Sequence, residues 1–229
     1  MNNRSMFNEP ESEILEMSAE SLNTELPQQW LGPAAVVLRG FAFGHETELF
    51  SALEKLTAAA PFRHMVTPGG FTMSVAMTNC GTWGWVSDRS GYRYAANDPL
   101  TGQRWPEMPE SFLKLALNAA AAAGFDNFVS DVCLVNRYAP GARLSLHQDK
   151  DELDFNQPIV SVSLGVPAVF LFGGLQRKDT PSRVLLAHGD VVVWGGPDRL
   201  RYHGVMPLKD AHHSCFGNHR INLTFRKAV

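Results

Sequence analysis

The segment Arg220-Ile221-Asn222-Leu223-Thr224-Phe225-Arg226 places apolar residues at every odd position and polar ones at every even position. Residues two apart in a strand project to the same side, so this alternation predicts a half-buried β-strand. Working back from it, short apolar runs recur at Val191–Trp194, Val184–Leu186, Ala168–Phe172, Ile159–Leu164 and Val132–Tyr138, separated by Gly, Pro or Asp. Short strands in close succession predict a sandwich or barrel. Farther back, Ala34–Leu38 reads as one more strand, bounded by Gly32-Pro33 and Gly40. Two helices complete the outline. In Thr47–Leu56 the apolar positions Leu49, Phe50, Leu53 and Leu56 recur at three and four until Pro61, and the second helix runs from Pro109 through Phe112, Leu115, Ala116 and Ala119 to Gly124. Between them, Thr67 to Pro99 carries five Gly, two Trp and two Tyr, a composition that predicts short hairpins bearing aromatics.

The chain of 229 residues, 45% hydrophobic and 19% charged, has apolar material for one core. Its net charge of -3 excludes a surface that is basic throughout, although a local basic groove stays open. Six Glu against one Arg lie between Met1 and Glu25, which leaves the remainder at +2. We therefore divide the chain into an acidic leader, 1–29, and a single domain, 30–229. The three cysteines, Cys80, Cys133 and Cys215, form no CxxC pair, so neither a disulfide framework nor a Cys-rich zinc site is expected and the reducing cytoplasm is the expected compartment. No run of eighteen apolar residues is present, so no membrane span is expected. We expect a monomer.

His147-Gln148-Asp149 is the first candidate for chemistry. On a strand its imidazole and carboxylate would share one side and converge on a metal ion; the same pair also suits an ordinary polar surface strand. A third ligand would complete the two-His-one-carboxylate set that leaves coordination positions of Fe(II) open. Of the eight His, His45 lies at a helix approach, His64 in a loop, His188 in a turn and His212-His213 among loop residues, whereas His203 falls on a β-like segment after a hairpin. His203 is the best third ligand. On the strand Arg220–Arg226 the two terminal arginines share a face, and two guanidiniums turned toward a barrel interior need anionic partners. A dicarboxylate would supply two; an edge strand facing water would need none.

The order of these motifs resembles the AlkB family of Fe(II)- and 2-oxoglutarate-dependent dioxygenases. The resemblance extends over roughly 30–227 and rests also on Val66-Thr67-Pro68-Gly69-Gly70, Met73–Gly81, Asn136-Arg137-Tyr138-Ala139-Pro140-Gly141, Leu144–Asp151 and His188–Gly196. It fails in the leader and in the loop Lys209–Asn218. It implies a mainly β protein with flanking helices (α+β), built as a double-stranded β-helix or jelly-roll core over about 130–229, an N-terminal helical support and a hairpin nucleotide-recognition lid over about 67–99. It also implies Fe(II) on His147, Asp149 and His203. The cosubstrate 2-oxoglutarate would chelate that metal, its distal carboxylate held by Arg220 with Tyr138 and its metal-bound one by Arg226 and Asn136. One carboxylate and two Arg around Fe(II) give a local charge of about +3, which offsets a dianion.

The activity implied is oxidative demethylation of 1-methyladenine and 3-methylcytosine in single-stranded DNA or RNA: O2 and 2-oxoglutarate are consumed, succinate and CO2 are made, and a ferryl oxidant hydroxylates the alkyl group, which leaves as formaldehyde. An alkylated base has lost its pairing, so extruding it costs little and it is read by stacking and at its edge. By the same resemblance Trp85 would stack on one face and His147 on the other, Asp151 would meet the exocyclic amine or the ring's positive charge, Tyr92 and Thr67 would be lid contacts, and Arg177 would lie near the base pocket. Trp83 reads as a core residue. Arg137, Arg143, Lys150, Arg177, Lys178 and Arg183 would form a rim for phosphates, or are simply solvated side chains. Two other functions remain in view: the same iron chemistry on a protein side chain or small molecule, and a non-catalytic jelly-roll module.

Overall fold

The computed structural model describes residues 27–229, so the acidic leader lies almost wholly outside the described residues. The chain runs β1 (Gln28–Gly32), β2 (Ala35–Leu38), α1 (Glu46–Ala59), β3 (Arg63–Val66), β4 (Thr72–Gly81), β5 (Gly84–Asp88), β6 (Gly91–Ala95), α2 (Glu110–Ala122), β7 (Val132–Tyr138), β8 (Leu144–His147), β9 (Ile159–Gly165), β10 (Ala168–Phe172), β11 (Ser182–Leu186), β12 (Val191–Trp194), β13 (His203–Val205) and β14 (Arg220–Arg226). Strand β1 begins at Gln28 and pairs with β2, so the folded part takes in two residues that the sequence division assigned to the leader.

Eight strands form the major sheet in the order β1-β2-β12-β9-β14-β7-β4-β3, and four form the minor sheet, β11-β10-β13-β8. All ladders are antiparallel and neighbours in space are mostly distant in sequence, the signature of a double-stranded β-helix. The expected jelly roll with flanking helices is the observed architecture. Strand alternation divides the major sheet's residues between two cores. Val36, Leu38, Val160, Val162, Ile221, Leu223 and Phe225 pack with Leu49, Leu53 and Leu56 of α1 and Phe112 and Leu115 of α2. On the other face Val37, Leu134, Tyr138 and Trp194 pack with Phe170, Phe172, Val184 and Leu186 of the minor sheet.

The stretch from Thr67 to Pro99 departs from the hairpin reading. Its first half is β4, a ten-residue strand laid between β3 and β7 in the major sheet, and only β5–β6 is a separate two-stranded hairpin. Polar residues inside β4 concealed it: Asn79 is fully buried and spends its side chain on the backbone of Trp85, accepting from its N–H and donating to its carbonyl, both at 3.0 Å. His64 belongs to β3 rather than to a loop, and Trp83 is half-buried outside both cores.

Candidate metal and cosubstrate centre

His147 ends β8, and its register partner across the ladder is His203 at the start of β13. The two rings lie 4.4 Å apart between centroids. The strands approach this closely because Gly204 has no side chain: a Cβ there would sit 2.7 Å from the Leu144 carbonyl oxygen. Asp149 is not on the strand, as its spacing from His147 suggested, but just past its end. It still converges, with Oδ1 3.5 Å from His147 Nε2 and Oδ2 3.7 Å from His203 Nε2. One donor atom from each of the three lies within 4.8 Å of the others. Each imidazole is oriented from behind, His147 Nδ1 lying 2.9 Å from the Ser145 carbonyl and His203 Nδ1 3.1 Å from that of Arg201. A carbonyl only accepts, so each Nδ1 carries the proton and each Nε2 turns a lone pair inward, the form that ligates a metal.

Protonation matches this at His203 and Asp149, whereas His147 leans toward its protonated form. Burial and then the neighbouring His147 depress His203 to about 3, so it is neutral at physiological pH. Burial alone would raise Asp149, but Arg226 with the two imidazoles holds it well below the carboxylate range. Burial works against a charge on His147 as well, and the hydrogen bond and charge of Asp149 outweigh it, raising this imidazole.

Beside this cluster opens a cavity of about 750 Å³, lined from β14 by Arg220, Asn222, Thr224 and Arg226 and from β7 by Leu134, Asn136 and Tyr138. All are even-numbered residues of their strands, so the shared face read from the sequence is the cavity face. The two arginines differ, however. Arg226 has protein partners: Nε donates to Asp149 Oδ2 at 2.8 Å and Nη2 lies 2.7 Å from the same oxygen. Among the described residues Arg220 has one, Ser163 Oγ at 2.9 Å, while its Nε and Nη1 and the Tyr138 hydroxyl are buried without any. Burying a guanidinium half-satisfied is costly, and a carboxylate entering the cavity would complete it. The donor set thus fits both groups expected of it, a divalent metal on two imidazoles and a carboxylate, and an organic carboxylate on Arg220 and Tyr138. The expected charge of about +3 overlooked two residues. Glu152 and Arg199, both almost fully buried, face each other with Arg199 Nη2 3.2 Å from Glu152 Oε2. Their only local signal was that Glu152 prolongs the acidic run after Asp149 and that Arg199 precedes the His203 segment.

The residues expected at the base converge on the same cavity. Trp85, Tyr92, Thr67, Asp151 and Arg177 all line it. Trp85 and Tyr92 stack at 5.6 Å with 15° between planes, and Trp85 Nε1 donates to Asp151 Oδ2 at 3.1 Å. The Thr67 hydroxyl accepts from the Phe71 N–H at 3.1 Å, tying its turn, and Arg177 donates to the Leu146 carbonyl at 2.7 Å. The cationic rim is smaller than expected. Arg143, Lys150 and Arg177 line the mouth, but Lys178 and Arg183 do not. Arg137, an odd-numbered residue of β7, points to the other face of the sheet and lies over the Phe62 ring at 4.7 Å.

Comparison with known proteins agrees with this centre. Residues 34–226 match the 2OG-Fe(II) oxygenase superfamily. The alpha-ketoglutarate-dependent dioxygenase AlkB of Salmonella typhimurium is 60% identical over 202 residues, covering 88% of this chain and 94% of that protein. The human nucleic acid dioxygenase ALKBH1 is 34% identical over 122 residues, 53% of this chain and 31% of its own length. The solved structure of OsALKBH1 superposes with a TM-score of 0.75 at 30% identity, covering 88% of this chain and all of that one. The chain is an Fe(II)- and 2-oxoglutarate-dependent dioxygenase and belongs to the AlkB family of the 2OG-Fe(II) oxygenase superfamily.

Proposed function

We propose that the enzyme oxidatively removes alkyl groups from N-alkylated bases of the 1-methyladenine and 3-methylcytosine type in single-stranded DNA and RNA, as a monomer in the cytoplasm. One observation carries the reading: the cavity that holds the His147, Asp149 and His203 cluster also holds the stacked Trp85–Tyr92 pair with the Asp151 carboxylate hydrogen-bonded to it. A flat cationic ring suits that surface. A protein side chain would leave the aromatic stack unused.

His147, Asp149 and His203 would hold the iron, Arg220 with Tyr138 the distal carboxylate of 2-oxoglutarate, and Asn136 and Arg226 its metal-proximal end. When bound, iron and cosubstrate supply the oxidant that inserts oxygen into a C–H bond. The chain's own residues do the rest. Trp85 and the His147 ring would flank the base, and Asp151 would meet its positive charge, which disfavours the neutral, undamaged base. The turn at Thr67 and the β5–β6 hairpin would form the lid that keeps water from the reacting methyl group. Hydroxylation leaves a hemiaminal on the base, which then releases formaldehyde without further catalysis. Arg143, Lys150 and Arg177 would take phosphates at the mouth. The test is formaldehyde and succinate release from methylated DNA and RNA oligonucleotides with 2-oxoglutarate supplied or withheld; product made without the cosubstrate would overturn the reading.

A further inference from the structure

In the β5–β6 hairpin Trp85 lies directly opposite Tyr94, and directly opposed residues of an antiparallel ladder project from the same face. Both side chains reach one short segment. Trp85 Nε1 donates to Asp151 Oδ2, and the Tyr94 hydroxyl donates to Glu152 Oε1 at 2.6 Å. Glu152 is the hub of a buried network. Its Oε1 lies 3.6 Å from Arg226 Nε and its Oε2 3.2 Å from Arg199 Nη2, with the Glu152 side chain 1% exposed and that of Arg199 2%. Both arginines continue to Asp149: Arg226 to its carboxylate at 2.7 Å, and Arg199 Nη1 to its carbonyl oxygen at 2.8 Å. Two buried carboxylates and two buried guanidiniums balance in charge, so none can leave without stranding another. A continuous path of hydrogen bonds and ion pairs therefore joins the hairpin to the metal carboxylate.

We propose that Tyr94 and Glu152 are positioning residues that lock the β5–β6 hairpin to Asp149, so that filling the metal and cosubstrate site orders the Trp85–Tyr92 surface before the substrate arrives. A ligand on Asp149 restricts that residue and, through the two arginines, Glu152 and Tyr94; the freedom lost there no longer has to be lost when the base binds. The role of the ordered surface rests on the base-demethylation reading, but the locking does not.

The test is hydrogen exchange of the hairpin amides in the full-length protein, with and without Mn(II) plus 2-oxoglutarate and with no nucleic acid present. The wild-type hairpin is expected to slow by about 5-fold or more on loading, the lower range of ordinary coupling between sites. Tyr94→Phe, which removes only the hydroxyl, is expected to lose that response while binding Mn(II) as the wild type does, and to raise KM for a methylated oligonucleotide without raising KM for 2-oxoglutarate. Glu152→Gln keeps an acceptor for Tyr94 but drops the charge that holds the arginines, and it should lose the response as well. Asp88→Asn breaks the hairpin's own pair with Arg93, 2.7 Å long, and is expected to speed exchange in both states yet keep the response. A wild-type hairpin indifferent to loading, or a Tyr94→Phe hairpin that responds as the wild type does, overturns the proposal. A normal response in a wild type that releases no formaldehyde from methylated oligonucleotides would instead sink the substrate reading alone.

Discussion

Arg220 and Tyr138 face each other as register partners across the β14·β7 ladder, the guanidinium carbon 5.1 Å from the phenol ring centroid, and both keep buried polar atoms without a hydrogen-bond partner among the described residues. Burial lowers Arg220 from its ordinary pKa, so its charge is held against a desolvation cost, and raises Tyr138, so the phenol stays neutral. Arg220→Met should therefore raise KM for 2-oxoglutarate by about 10- to 150-fold, the loss of a charge-assisted contact of ~1.5–3 kcal/mol. The same variant should melt higher than the wild type when no cosubstrate is present, because the unsatisfied buried charge is gone. Equal cosubstrate KM in the two proteins would refute the assignment.

Gly204 in β13 leaves no room for a Cβ against the backbone of β8. In Gly204→Ala the new methyl would meet the Leu144 carbonyl at 2.7 Å, and the strands must part. The expected result is a folded protein destabilised by ~1–3 kcal/mol, the usual cost of overpacking, with weakened Mn(II) binding because His147 and His203 move apart. Titration calorimetry with Mn(II) checks it; unchanged affinity would show that the spacing of the imidazoles does not depend on this glycine.

The two imidazoles give the metal-free protein opposed pH dependences. His203, depressed to about 3 from its ordinary 6.5, is neutral in the fold between those values while the unfolded chain is protonated, so its contribution to stability falls as pH drops below 6.5. His147, raised above 6.5, binds a proton in the fold that the unfolded chain has released, so its contribution falls as pH rises above 6.5. Stability of the metal-free protein should peak near pH 6.5, with limbs no steeper than ~1.4 kcal/mol per pH unit for each residue. Urea unfolding after chelation measures this, and His203→Gln should make the acid limb shallower, leaving the part that the lowered His213 and Asp149 supply.

Trp85 both stacks and donates to Asp151. Trp85→Ala should raise KM for a methylated oligonucleotide by about 5- to 150-fold, equivalent to the ~1–3 kcal/mol of one base–aromatic stack, with KM for 2-oxoglutarate unchanged. Trp85→Phe keeps a ring but not the indole N–H and should fall between the two. A shift in cosubstrate KM alone would move Trp85 out of the base site.

Three cations line the mouth of the cavity, Arg143, Lys150 and Arg177. Affinity for a short single strand should then fall with salt at a logarithmic slope of about -2, since each phosphate neutralised adds roughly -0.7. A slope as steep as a sequence-specific repressor's would require a basic surface outside this rim.

The identity and order of the strands were largely legible in the chain, because a half-buried strand writes its two faces as alternating polarity: Arg220, Asn222, Thr224 and Arg226 line the cavity, and Ile221, Leu223 and Phe225 pack beneath the helices. His147 and Asp149 were legible because they lie only two residues apart in the chain, close enough for both to reach one ion. Strand β4 was not, since Asn79 is polar in sequence and satisfied only by the backbone of β5. Pattern alone favoured His203 among eight histidines, but its place opposite His147 is a matter of ladder register, which no local residue encodes. The same holds for charge. Sequence showed that two arginines share a face; only the packing decided that Arg226 is neutralised by Asp149 and Glu152 while Arg220 is left waiting for a carboxylate, because ion pairing depends on distances between strands far apart in the chain and on how much water the fold removes around them.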